Sequence, residues 1–177
     1  MEKLLRVAEF FDQFTDRLGR GVSWLTTTLV LVVCFDVLTR YLFNTTSSGL
    51  VELEWHIFAV LFLLGAGYTL KNDRHVRVDV FYSLMKPKTK AWINFSGIVL
   101  ALIPFSLLVI YSSLPFISHS YSLSETSSDP GGLPFRWLIK SMIPLGFAAL
   151  IIQAVSEAIH QLAIIMGIGE KESHHDH

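Results

Sequence analysis

The stretch VSWLTTTLVLVVCFDVLTRYL (residues 22–42) carries only two charged side chains, Asp36 and Arg40, both toward its C-terminal end. A helix needs about 20 predominantly apolar residues to cross the hydrocarbon core of a bilayer. This stretch has the length, opens near Trp24 and closes at Tyr41. Aromatic rings with a polar edge favour the headgroup level, so the two rings mark span ends. Reading these residues as a membrane span, rather than as one helix of a soluble bundle, decides the fold.

The pattern recurs along the chain. Residues 51–70, 92–116 and 135–160 are three further apolar runs, opening near Trp55, Trp92 and Trp137, with Tyr68 and Tyr111 toward the far ends of the first two. Of the 177 residues, 51% are hydrophobic and 16% charged, and the mean hydropathy is +0.48. Soluble chains carry roughly 25% charged residues. The expected fold is therefore an all-α integral membrane protein of four transmembrane helices plus amphipathic interfacial helices. It forms a single membrane domain over residues 1–165, followed by a polar cytoplasmic tail, 166–177. The SHHDH at the end of that tail reads as solvated sequence. Residues 1–20 mix acids and bases without a short apolar region ending in small residues, so the first apolar run is expected to be retained. One cysteine, Cys34, excludes an internal disulfide and reads as a small packed residue.

Cations set the orientation. Lys3, Arg6, Arg17, Arg20, Lys71, Arg74, Arg77, Lys86, Lys88, Lys90 and Lys171 fall on one side of the four spans; Arg40, Arg136 and Lys140 fall on the other. The excess places both termini and the 71–90 block in the cytoplasm.

Two amphipathic pieces lie on that side. In residues 2–18, Leu4, Val7, Phe11, Phe14 and Leu18 form one stripe, with Lys3, Arg6, Glu9, Asp16 and Arg17 largely opposite. This predicts a helix lying in the interface or against a partner's cytoplasmic edge, with Gly19 and Gly21 permitting a turn into the first span. Asp79 is positioned to cap a second short helix, with Phe81, Leu84 and Met85 on one face and Pro87 limiting it. On the opposite side, residues 117–134 read as the long outer loop. Pro104, Pro115 and Pro144 are candidates for helix kinks.

Candidate chemistry is sparse. Asp36 and Arg40 share a helix face and read as a structural pair. Glu52 and Glu54 open the second span two residues apart, pointing in different directions. Glu52 sits where the helix dipole favours a carboxylate, within reach of Arg40 across the loop 43–50. His56 and His160 differ in depth by roughly 25–30 Å at ~1.5 Å per residue, too far for one haem to bridge. Arg136 and Lys140 read as side chains that snorkel outward. Phosphate-binding glycine loops, zinc motifs and nucleophile turns do not occur in the sequence, so neither an enzyme nor a cofactor or metal site is expected.

The run Arg40-Tyr41-Leu42-Phe43-Asn44, then Glu52-Leu53, Phe58 and Gly65, then His75-Val76-Arg77-Val78-Asp79, resembles the small membrane (Q-type) subunit of TRAP (tripartite ATP-independent periplasmic) transporters. The resemblance covers roughly residues 1–165. It departs from the family pattern at Val51, where many members carry a second Glu before Glu52, and Glu54 lies outside the pattern. It implies a multi-pass protein of the bacterial inner membrane. As a scaffold subunit it would be the structural partner of a large TRAP membrane subunit that carries substrate and sodium, with a periplasmic solute-binding protein delivering the solute. Arg40, Asn44, Glu52 and Asp79 would then be subunit-interface or structural residues. The loop containing Asp129-Pro130-Gly131-Gly132-Leu133-Pro134 resembles members serving organic-acid uptake, and Glu125 and Asp129 could help dock the binding protein. Two alternatives stand beside this reading: a self-sufficient four-helix transporter, and a membrane anchor of a redox enzyme.

Overall fold

The computed structural model describes residues 1–72 and 85–168, which form helices and short connections. Helix α1 (Glu2–Phe43) is followed by α2 (Ser48–Lys71), α3 (Pro87–Gly97), α4 (Ile103–Ser122) and α5 (Arg136–Ile165), with a π turn (Ile98–Leu102) joining α3 to α4. Four helical stretches are long and apolar enough to cross a membrane: α1, α2, α3 through α4, and α5. The spans are longer than their apolar runs alone suggest, because polar residues continue each helix beyond its apolar segment. The third reaches Ser122, so the loop expected over 117–134 begins only at Leu123.

The helix ends follow local chemistry. Asn44 ends α1 in the left-handed conformation, φ 52°, which asparagine tolerates better than most residues. At the end of α5, Gly167 has φ 73°. Its N–H reaches the Ile164 carbonyl, and the Ile168 N–H reaches that of Ala163, which together make a Schellman stop. Ser124 closes α4 in the same way at φ 46°, with Glu125 N–H on the Ser120 carbonyl. Pro104 has no N–H for the carbonyl four residues back, and its ring crowds that carbonyl. The helix widens just before it, so that Ile103 N–H reaches Ile98, five residues earlier.

Helix α5 is the hub, touching α1, α2, α3 and α4, while α1 also packs along α2. The contacts are made by small residues. A Cβ at Gly146 would stand 2.8 Å from the Leu63 carbonyl, and one at Gly67 would stand 3.4 Å from that of Ala149. Such close backbone approach is how helices gain packing where lipid removes the hydrophobic incentive to associate. The buried positions are largely small or polar, including Ser106, Ser113, Ser120, Gln153 and Ser156. The large apolar side chains, such as Leu100, Tyr111 and Phe35, face outward. That distribution suits a hydrocarbon solvent.

The turn expected at Gly19 and Gly21 does not occur. Helix α1 runs unbroken for 42 residues. A glycine costs a helix only about 1 kcal/mol, and here the neighbours on both sides are helical. Gly19 serves packing instead: a Cβ there would lie 2.5 Å from the Tyr68 ring, whereas Gly21 faces open space. Residues 2–18 are therefore one end of α1 rather than a separate surface helix. The second amphipathic piece, at 79–86, falls mainly outside the described residues.

These contacts predict opposite outcomes at two glycines. Gly146→Leu forces a side chain into the Leu63 backbone and should cost about 1–3 kcal/mol, seen as a lower thermal transition of the full chain in detergent. Gly21→Ala should leave that transition unchanged or raise it. A loss at Gly21 would restore a hinge there.

Candidate functional site

At the loop end of the bundle, Glu52 lies in the second turn of α2 and is 4% exposed. The connection between α4 and α5 folds back over it. The Ser127 hydroxyl and Arg136 Nη2 (3.0 Å) donate to Glu52 Oε1, and the Leu133 N–H donates to Oε2 at 2.6 Å. The loop closes on itself through Ser127 N–H to the Leu133 carbonyl (3.2 Å) and Arg136 N–H to the Glu125 carbonyl (3.0 Å). Asp129, on the exposed tip, donates its N–H to Ser127 Oγ at 3.1 Å. The close wrap needs Gly132, where a Cβ would collide with Ser127 and stand 2.9 Å from Glu52 Oε2. Phe135, just before α5, is held at φ 61°, a conformation that costs an aromatic residue and persists only where its surroundings fix it. The Glu52 contacts on both sides of it do so.

One turn along α5 from Arg136, Lys140 pairs with Glu125 and sits 4.0 Å from the centre of the Phe116 ring. The hydrogen bond from its ammonium holds the Glu125 carboxyl below the usual carboxylate range. Arg136 and Lys140 thus turn into the loop rather than snorkelling away from it.

Asp36 and Arg40 form the expected ion pair, with Asp36 2% exposed. Arg40 points back one turn along α1, so the reach from Arg40 to Glu52 is not made; Arg136 is the arginine on Glu52. Asn44 acts as the α1 stop. Asp79 lies outside the described residues. Glu54, half-buried, lines an open apolar groove with Leu29, Val33 and Trp55.

A second polar node, at the opposite end of the bundle, has no counterpart in the sequence reading. Asp12 Oδ1 accepts from the Gln153 amide (2.9 Å) and the Ser156 hydroxyl (2.7 Å), and Asp12 Oδ2 pairs with His160 Nε2 (3.0 Å). Lys71, at the end of α2, donates to the Asp12 carbonyl at 3.2 Å and pairs with Asp16. Helices α1, α2 and α5 are fastened together there. A signal was present: Asp12 and Asp16 are four apart, and Gln153, Ser156 and His160 fall at helical spacing on a mostly apolar helix. The apolar stripe beside Asp12 masked it.

The two histidines belong to different ends. His56 Nδ1 donates to the Glu52 carbonyl, and its ring lies against Trp55, while His160 completes the far node. Among the described residues, no three His, Cys, Asp or Glu side chains gather as metal ligands would. Both nodes hold their carboxylates as acceptors of several donors, an arrangement that fastens helices and a loop.

Residues 29–163 match the family described as "Tripartite ATP-independent periplasmic transporters, DctQ component". A C4-dicarboxylate TRAP transporter small permease protein from Vibrio cholerae is 26% identical over 117 residues, covering 64% of this chain and 49% of that protein. A putative TRAP transporter small permease protein from Haemophilus influenzae is 28% identical over 105 residues, covering 59% of this chain and 65% of that protein. The chain thus spans about half to two-thirds of the length of these relatives. It belongs to the DctQ family, the small membrane subunits of TRAP transporters.

The loop node yields two predictions. Glu52→Ala removes the acceptor shared by Ser127, Leu133 and Arg136, so the segment 123–135 should be cleaved several-fold faster by added protease. Arg40→Gln should leave cleavage unchanged. Equal opening in both would return Arg40 to the node. For Glu125, a lowered carboxyl pKa means that its pairing contributes fully above the ordinary value of about 4.3, and the contribution is lost as pH falls through the lowered value. The thermal transition of wild type should therefore approach that of Glu125→Gln as the solution is acidified below pH ~4. A gap that persists there would assign the loss to another group.

Proposed function

We propose that this chain is the small permease subunit of a sodium-coupled, binding-protein-dependent uptake system for organic acids, residing in the bacterial inner membrane with both termini in the cytoplasm. In this reading it transports nothing alone. It is the fixed partner of a large membrane subunit, which binds solute and sodium, and a periplasmic binding protein supplies the solute. Dicarboxylates are the solute class tested first, because the name of the Vibrio relative specifies one.

The observation that carries the proposal is how the carboxylates are engaged. Glu52 and Asp36 each pair with an arginine of this same chain, and Asp12 is engaged by Gln153, Ser156 and His160. Coupled transporters bind substrate and ions near the midplane, with ligands exposed to a changing cavity. Here Glu52 and Asp12 sit at the two ends and tie elements together, while Asp36 pairs within α1. The outer half of α1 presents the complementary feature: Val30, Leu31, Phe35, Leu38, Leu42 and Phe43 are all more than half exposed, a broad apolar face suited to a large subunit's helices. The binding-protein contact falls to the loop tip, where Asp129 is exposed; Glu125 is engaged by Lys140 and contributes by shaping the loop.

Reconstitution into liposomes with an inward sodium gradient and a dicarboxylate-loaded binding protein tests this. The small subunit alone should give background uptake. Adding the large subunit should give sodium-dependent uptake and co-purification of the two. Sodium-driven uptake by the small subunit alone would overturn the scaffold role and move the coupling site into this chain.

A further inference from the structure

The first half of α1 divides into three arcs at 3.6 residues per turn. One arc, with Ala8, Asp12, Thr15 and Gly19, is turned into the bundle by the Asp12 node; Ala8 is 0% and Thr15 3% exposed. A second arc holds Leu4, Val7, Phe10 and Phe14, which are 47%, 44%, 67% and 43% exposed. A third arc is charged. Arg6 and Arg17 stand on its border with the apolar arc and Lys3 lies just inside that arc beside Phe10, all exposed and none paired with a carboxylate among the described residues. Glu9 and Asp16 fall farther round, away from the apolar edge.

Length supplies the second constraint. A helix of 42 residues is about 63 Å long at 1.5 Å per residue. The bilayer, headgroups included, is about 40–45 Å thick. The excess cannot be removed by a bend, because α1 is unbroken and its first half is fastened to α5. A helix of that length either projects past the headgroups or leans, and a lean lays one side of its first half against the headgroup layer. An apolar face bordered by unpaired cations suits that position, since the rings enter the acyl boundary while the cations meet headgroup charge.

We propose that the apolar face of residues 4–18 docks into the headgroup layer of an anionic phospholipid leaflet, with Lys3, Arg6 and Arg17 contacting the lipid phosphates. The inference concerns membrane seating and is independent of the transport partner.

The test uses the full-length chain in nanodiscs of phosphatidylcholine, with or without phosphatidylglycerol. In a Cys34→Ser background, spin labels are attached at Phe10→Cys and, separately, at Gln13→Cys on the polar side. Collisions with oxygen report lipid, and collisions with a soluble nickel chelate report water. The Phe10 label should favour oxygen and move deeper when phosphatidylglycerol is present, while the Gln13 label favours nickel. Lys3→Gln, Arg6→Gln and Arg17→Gln together should abolish the phosphatidylglycerol response without changing helicity or elution volume. Three results would overturn the proposal: a water-exposed Phe10 label in both lipids, a Phe10 label shielded from both probes as by a second protein copy, or a phosphatidylglycerol response that survives the triple change.

Discussion

A carboxylate near the edge of the hydrocarbon must find its hydrogen bonds inside the protein, because lipid offers none. Glu52 finds them in the segment 127–136, which lies far along the chain and is held there by the same contacts. Much of the remaining geometry follows. Arg136, held on Glu52, sets where α5 begins, and so which residues of α5 meet α2. That register places Gly146 against Leu63 and Ala149 against Gly67. Continued along α5, it brings Gln153, Ser156 and His160 to Asp12. A single buried anion near the start of α2 is thus connected, through backbone contacts of small residues, to the polar node at the other end.

The two nodes differ in what they constrain. The loop node fastens a connection to a helix and leaves the outer half of α1 outside it. The far node fastens three helices directly. Between them the buried residues are small or polar while the bulky ones face out, so α1 is held firmly in its first half and stands comparatively free in its second. The second half of α1 thus presents a broad apolar flank, while its first half is fastened to α2 and α5.

Four membrane-length helices and the Asp36–Arg40 pair were legible in the sequence, because hydropathy and i, i+4 spacing are local properties. Glu52 stood out in the sequence as a carboxylate at the start of α2, but the partners it meets did not. Arg40 is near in sequence, and Arg136 is near in space only once the loop has folded. Gly19 was read as a hinge from its conformational freedom, whereas its missing side chain makes room for the Tyr68 ring. Asp12 escaped notice because charge on an amphipathic helix is ordinarily solvated. Only the meeting of α1 with the polar positions of α5 distinguishes it from Glu9.

The π turn before Pro104 has a consequence for how the third span tolerates change. Its buried positions are Ala91, Ile98, Ser106, Ser113 and Ser120. They are spaced by seven residues except for one step of eight, and that step spans the widened turn. The turn absorbs the additional residue, so the two halves of the span keep a common phase against α5. Removing one residue elsewhere would swing every serine beyond it by about 100°, a single residue's rotation, toward the lipid. Removing one within 98–102 would restore the sevenfold step and regularise the helix, while returning the Pro104 ring to the carbonyl it now avoids. The turn works like an intercalary day in a calendar, keeping two otherwise drifting cycles aligned.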